Sequence, residues 1–96
     1  MDLEWDEKKR LKALLERGMD FADVILFDLA SLDVKQDMRI NYGEPRFNSV
    51  GYLNGSLCIY CWTPRDGKMR IISLRKANDR ERKKYFKNRS QTPNMG

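Results

Sequence analysis

The chain has 96 residues, 41% hydrophobic and 34% charged, with a formal net charge of +5, which describes one soluble globular domain with a modest core. With no histidine and only two cysteines, it has no Ser-His or Cys-His hydrolase centre, no His-ligated metal and no cysteines to complete a zinc site. No apolar run approaches the roughly 20 residues that cross a bilayer, and the acidic start Met1-Asp2-Leu3-Glu4-Trp5-Asp6 lacks a signal peptide's basic and apolar regions, so the expected location is cytoplasmic, without membrane contact.

Trp5 to Arg17 reads as a first helix. Acidic residues at its start and Arg17 at its end suit the helix dipole, and Gly18 follows as a C-terminal cap. Leu11, Leu14 and Leu15 form its apolar stripe, and Trp5 packs beneath them, offering a stacking surface only secondarily. Asp20 caps an expected second helix, Phe21 to Ala30, so apolar along Val24-Ile25-Leu26-Phe27 that it should be buried.

Ser31 to Gln36 reads as a loop and Asp37 to Tyr42 as a weakly alternating edge strand, followed by a turn at Gly43-Glu44-Pro45. Arg46 to Leu53 is the second strand. Asn54-Gly55 signals a type I′ hairpin into the third strand, Leu57 to Thr63. Pro64-Arg65-Asp66-Gly67 turns into the fourth, Lys68 to Arg75. Asn78 or Asp79 caps a last helix to about Arg89, anchored by Tyr85 and Phe86. The tail from Ser90 to Gly96 reads as flexible. The expectation is one domain over residues 1–89 in the order ααββββα: an α+β fold with a four-stranded antiparallel sheet packed by helices.

Cys58 and Cys61 lie three apart on the third strand, so their side chains face opposite ways and read as packed, reduced thiols.

From Lys68 to Arg89 there are ten basic and two acidic residues, a local charge of +8 that leaves −3 for the rest. This is where a polyanion site is expected. On the fourth strand strict alternation puts Arg70, Ile72 and Leu74 on one face and Ile71, Ser73 and Arg75 on the other. Arg46 opens the second strand beside Glu44, and Arg65 lies in the last hairpin. Guanidinium groups bind phosphate bidentately and stay charged. Arrayed over a sheet, they suit RNA and can stabilise charge on a phosphorus attacked by the adjacent 2′-hydroxyl, a reaction that needs no metal or cofactor. Glu44 is a candidate general base, with a Lys or Tyr assisting the leaving oxygen. Taken singly, each arginine also fits a merely solvating role. Arg80 and the other charges of the last helix point all round it, which suits a solvated helix with general phosphate affinity. Tyr85 reads as a packing residue, with a role near phosphate as the alternative. Direct duplex DNA binding by that helix is a weaker alternative.

Trp5-Asp6-x-x-Lys9, Gly18-x-x-Phe21, Phe27-Asp28, Gly43-Glu44-x-Arg46-Phe47, Gly51 and Arg70-Ile71-Ile72-Ser73-x-Arg75-Lys76-Ala77, with Glu81 and Tyr85, resemble the BrnT toxins of BrnT–BrnA type II toxin–antitoxin pairs. The resemblance implies a RelE-like fold and a ribonuclease that halts translation. It also implies a cognate BrnA-type, ribbon-helix-helix antitoxin that covers the toxin and represses the operon by binding its DNA. The matching positions are Trp5, Lys9, Glu44, Arg46, Arg70, Arg75, Lys76 and Tyr85. On this reading Arg46, Arg70, Arg75, Glu44 and Lys9 are the catalytic candidates. Trp5, Arg17, Arg65, Lys76, Arg80 and Tyr85 are the candidates for RNA contact. The chain departs from the family pattern in the first helix, where Ala13 takes an Asn position and Glu16-Arg17-Gly18 replaces Lys-His-Gly. Arg17 keeps a cation there, which implies retained phosphate binding and weaker proton transfer. A binding module on the same fold that has lost cleavage is the alternative reading.

Overall fold

A computed structural model describes residues 2–90. The class is α+β as expected, but the sheet has five strands and is mixed, in the order β1-β5-β4-β3-β2. The added strand is β1, Asp2–Trp5, which pairs in parallel with β5, Lys68–Lys76. Asp-Leu-Glu-Trp alternates, so Leu3 and Trp5 join the core while Glu4 points to the other face. The first helix, α1, therefore starts later than expected and spans Glu7–Arg17. Asp6 caps it by accepting from the Lys8 and Lys9 amides, and Gly18 ends it at φ 68°.

The expected Leu11, Leu14 and Leu15 stripe is exposed, and α1 buries only Ala13. The helix rests on the sheet through that small side chain, while Arg10 ties it to Asp20 at 3.0 Å. The second helix is absent as such. Two 3₁₀ turns, Phe21–Leu26 and Leu29–Ser31, replace it, capped by Asp20 and Asp28. Phe21, Val24 and Phe27 recur every three residues, which makes one buried face only at three residues per turn, and Ile25, Leu26 and Leu29 are left exposed. Between the turns the Asp28 amide donates to the Tyr52 carbonyl at 2.9 Å, so the segment docks on the sheet instead of coiling on.

Loop and strand exchange places in the next stretch. Asp33–Gln36 is β2, antiparallel to β3, Phe47–Leu53. Asp37 to Tyr42 is irregular because side chains there capture backbone: Asp37 accepts from the Arg39 amide at 3.1 Å and Asn41 from the Gly43 amide at 2.9 Å. Two hairpins follow. Asn54 and Gly55 at φ 51° and 81° lead into β4, Ser56–Arg65; Asp66 and Gly67 at φ 52° and 76° lead into β5, so both turns have the two positive angles of type I′. The second turn is thus two residues rather than four, and Pro64 and Arg65 belong to β4, which runs past the start of β3.

α2 spans Asp79–Ser90 and so takes in Ser90, the expected first residue of the tail. Residues 91–96 lie outside the described residues. Asn78 is its cap, and its Oδ1 accepts from the Glu81 amide at 2.8 Å while Glu81 accepts from the Asn78 amide at 2.9 Å, a reciprocal capping box. Tyr85 is buried and anchors the helix, donating to the Ser31 carbonyl at 2.6 Å; Phe86, expected to share that role, is exposed.

The sheet has two unlike faces. α1 and the 3₁₀ turns cover one, packing Ala13, Phe21, Val24 and Phe27 on Leu53, Cys58, Tyr60, Ile71 and Leu74. α2 covers only part of the other, where Tyr85 meets Tyr52 edge-on at 6.2 Å. Cys58 and Cys61 are free thiols on opposite faces, as expected.

Candidate active site

Strict alternation fails on β5, and the failure builds the site. Thr63 pairs with Arg70, Trp62 with Ile71, Cys61 with Ser73 and Ile59 with Arg75, so Ile72 is an extra residue without a partner. This β-bulge resets the parity of the strand. Ile71 and Leu74 both enter the core, and Arg70, Ser73 and Arg75 share the opposite face. The expected division, with Arg70 opposed to Arg75, is corrected: both arginines stand on the face that α2 leaves partly open.

On that face a cleft of about 400 Å³ opens between β2 to β5, α2 and the irregular loop after β2. Arg75 lies in it, and its Nη1 and Nη2 each donate to a carboxylate oxygen of Glu81 at 2.7 Å. These paired bonds hold the Glu81 carboxyl below the ordinary glutamate range and raise the Arg75 guanidinium. Arg39, Lys35 and Lys84 add cations to the lining, and Asp33 and Asp37 add carboxylates. Asp37 is held at about 2, first by its bonds from the Arg39 side chain and then by the Arg39 amide. Asn48 and Asn88 contribute amides to the walls. With four cations and three carboxylates in the lining, the cleft offers aimed donors more than bulk charge.

The other expected residues divide by face. Arg46 lies 3.9 Å from the Tyr42 ring centroid and 3.7 Å from Glu44, and its Nε is buried without a hydrogen-bond partner. Glu44 also receives Arg65 at 3.3 Å and lines a separate hollow made by residues 36–45, so it stands outside the main cleft. Arg70 pairs with Glu4 at 2.8 Å, towards the β1 edge. Tyr85 lines the cleft wall, but its hydroxyl is committed to Ser31. Lys9 and Arg17 sit on α1 over the core face, with Arg17 donating to the Leu74 carbonyl at 3.2 Å. Trp5 packs against the same core and bonds Glu7 at 3.0 Å, and the register puts Lys76 on that side too. Arg80 is exposed on the first turn of α2. The structure therefore gathers Arg75 and Tyr85 in the cleft, sets Arg46 and Arg70 along its sheet face, and leaves Lys9, Arg17, Trp5 and Lys76 behind the sheet. The residues missed as site candidates are Glu81, Arg39, Lys35 and Lys84. Arg39 had a local signal in Asp37-x-Arg39, whereas Glu81 stood among the residues of the family resemblance without a role.

Fold and cleft together define a small α+β protein with arginine–carboxylate pairs on one open sheet face. The chain belongs to the BrnT family: the model described as "Ribonuclease toxin, BrnT, of type II toxin-antitoxin system" matches residues 5–81. That span reaches from the end of β1 to Glu81 and includes both arginine-bearing strands. No curated protein matches the chain. No helix among the described residues is long and apolar enough to cross a membrane.

Proposed function

We propose that this chain is the toxin of a type II pair and acts as a metal-independent endoribonuclease, cutting RNA by attack of a 2′-hydroxyl on the adjacent phosphodiester. It inhibits translation and is neutralised by a cognate BrnA-like, ribbon-helix-helix antitoxin. The observation that carries this reading is the bulge at Ile72, which turns Arg70 and Arg75 onto the cleft face. Arg75 is the principal phosphate and transition-state contact, and Arg46 and Arg70 hold the flanking backbone. Guanidinium donors aimed at a phosphoryl oxygen stabilise the charge that builds there, and loss of one such donor costs about 10²–10³ in rate.

The test is incubation of purified protein with RNA in EDTA. Cleavage is expected to leave 2′,3′-cyclic phosphate and 5′-hydroxyl ends, and a 2′-deoxy substitution at the scissile position abolishes it. Arg75→Ala is expected to lower the rate at least about 100-fold.

A second reading, a binding module without cleavage, is favoured by one observation: Arg46, Arg70 and Arg75 each already face an internal carboxylate. RNA binding without cleavage by folded protein would decide for it.

A further inference from the structure

We infer that Glu81 is the general base that takes the proton of the attacking 2′-hydroxyl, an assignment that rests on the ribonuclease reading. Three carboxylates line the cleft. Asp37 is engaged by the Arg39 amide, by Arg39 Nε and Nη2 and by the Tyr42 hydroxyl, and its side chain is only 4% exposed. Asp33 faces Arg89 at 3.6 Å, beside the C-terminal turn of α2. Glu81 stands over Arg75, with Oε1 shared between Arg75 Nη1 and the Asn78 amide and Oε2 bonded to Arg75 Nη2 alone. Oε2 therefore keeps a lone pair that no described residue engages.

Arg75 meets Glu81 end-on through both terminal nitrogens, and Nη1 also reaches the Lys76 carbonyl at 3.3 Å. Its Nε and the second Nη2 hydrogen have no acceptor among the described residues. That edge is the two-pronged donor that a phosphodiester takes. In RNA the 2′-hydroxyl sits one ribose carbon from the 3′-phosphate, so a carboxylate bonded to the phosphate's own clamp is within reach of its proton. The 2′-O–H bond breaks as its proton passes to Oε2, the 2′-oxygen bonds phosphorus, and the P–O5′ bond breaks. The departing 5′-oxygen takes a proton from water, and Glu81 returns its own to solvent. The charged groups facing Glu81 across the cleft are Arg75 from β5, Asp33 and Lys35 from β2, Asp37 and Arg39 from the loop, and Lys84 on α2. The Arg75 pair keeps Glu81 ionised below the ordinary glutamate value of about 4.3.

The experiment compares wild type, Glu81→Gln and Glu81→Asp on a short RNA in EDTA, and on its uncleavable 2′-deoxy analogue. The glutamine amide oxygen still accepts from Asn78, so the cap is kept, while the base is lost together with the Nη2 half of the Arg75 pair. Glu81→Gln is expected to lower kcat at least about 100-fold and to bind the analogue as well as or better than wild type. Glu81→Asp should regain part of the rate. The wild-type profile should fall in acid below about pH 4.3, and that limb should vanish in the residual activity of Glu81→Gln. If Glu81→Gln cleaves within about threefold of wild type or keeps the acid limb, Glu81 is not the base and the ribonuclease reading stands. Should Glu81→Gln fail to fold, a wild-type acid limb centred above the ordinary glutamate value of about 4.3 overturns the assignment instead. Wild-type protein that binds RNA and never cuts it overturns both.

Discussion

The two faces of the sheet are made from the same strands and answer to different physics. One face is dry: Leu74 is 0% and Ile71 1% exposed, and Ser49 is buried there with its hydroxyl met by the Trp62 indole. The other presents arginines held by carboxylates at 2.7–3.7 Å, with side chains 26–42% exposed. Burial of apolar surface supplies most of a small domain's stability, whereas exposed ion pairs contribute little. The fold is therefore held from one side and the proposed chemistry lies on the other, and the bulge at Ile72 sorts the residues of β5 between them.

This division can be broken most forcefully from the core side. Leu74→Ala is expected to cost about 2–5 kcal/mol in urea unfolding, with RNA affinity per folded molecule unchanged. Arg75→Ala is the mirror image, moving stability by less than about 1 kcal/mol while cleavage collapses. Gly51→Ala tests the seam where the 3₁₀ turns meet β3. A methyl there would stand 2.8 Å from both Leu32 Cδ2 and Ser31 Oγ. Ser31 cannot yield easily, because it donates to the Asp28 carbonyl at 2.6 Å and accepts from the Tyr52 amide at 2.9 Å. The expected loss is about 1–3 kcal/mol. The smallest effect is acid. Asp37, Asp20 and Glu81 all have folded values below their ordinary ones. The unfolded chain then binds more protons in that window, so their contribution is complete above about pH 5 and fades as pH falls through 4 towards 2. A melting-temperature series from pH 6 to pH 2.5 should decline monotonically, and Asp37→Asn should flatten it.

Much of the fold was legible where the signal is local. Asn54-Gly55 and Asp66-Gly67 admit the positive φ that their turns need, and Asn78 with Glu81 spells a capping box. β1 was not legible as a strand because its partner, β5, lies at the far end of the chain, and of its four residues Trp5 reads as the start of the helix that follows. The second helix failed on periodicity: Phe21, Val24 and Phe27 fit a three-residue turn as well as the start of an α-helix, and the docking of Asp28 to Tyr52 decided between them. Of the site, Arg75 was visible from its place at the end of β5. Its neighbours were not. Ile71-Ile72 contains no glycine or other mark of a bulge, so the side on which Arg70 stands could not be read. Glu81 was quoted in the family resemblance but given no role, because nothing local shows that a residue six positions after Arg75 folds back onto it.

The capping box has one more consequence, for the order in which the molecule is made. Glu81 both starts α2 and closes on Arg75, so helix nucleation and completion of the cleft are one event. A chain emerging from the ribosome at about 5–20 residues per second exposes β1 to β5 before α2 exists. Its arginines are then mounted on a sheet with no wall above them. The cleft is finished only when the last described helix folds, so a nascent chain carries the guanidinium groups without the partner that orients Arg75.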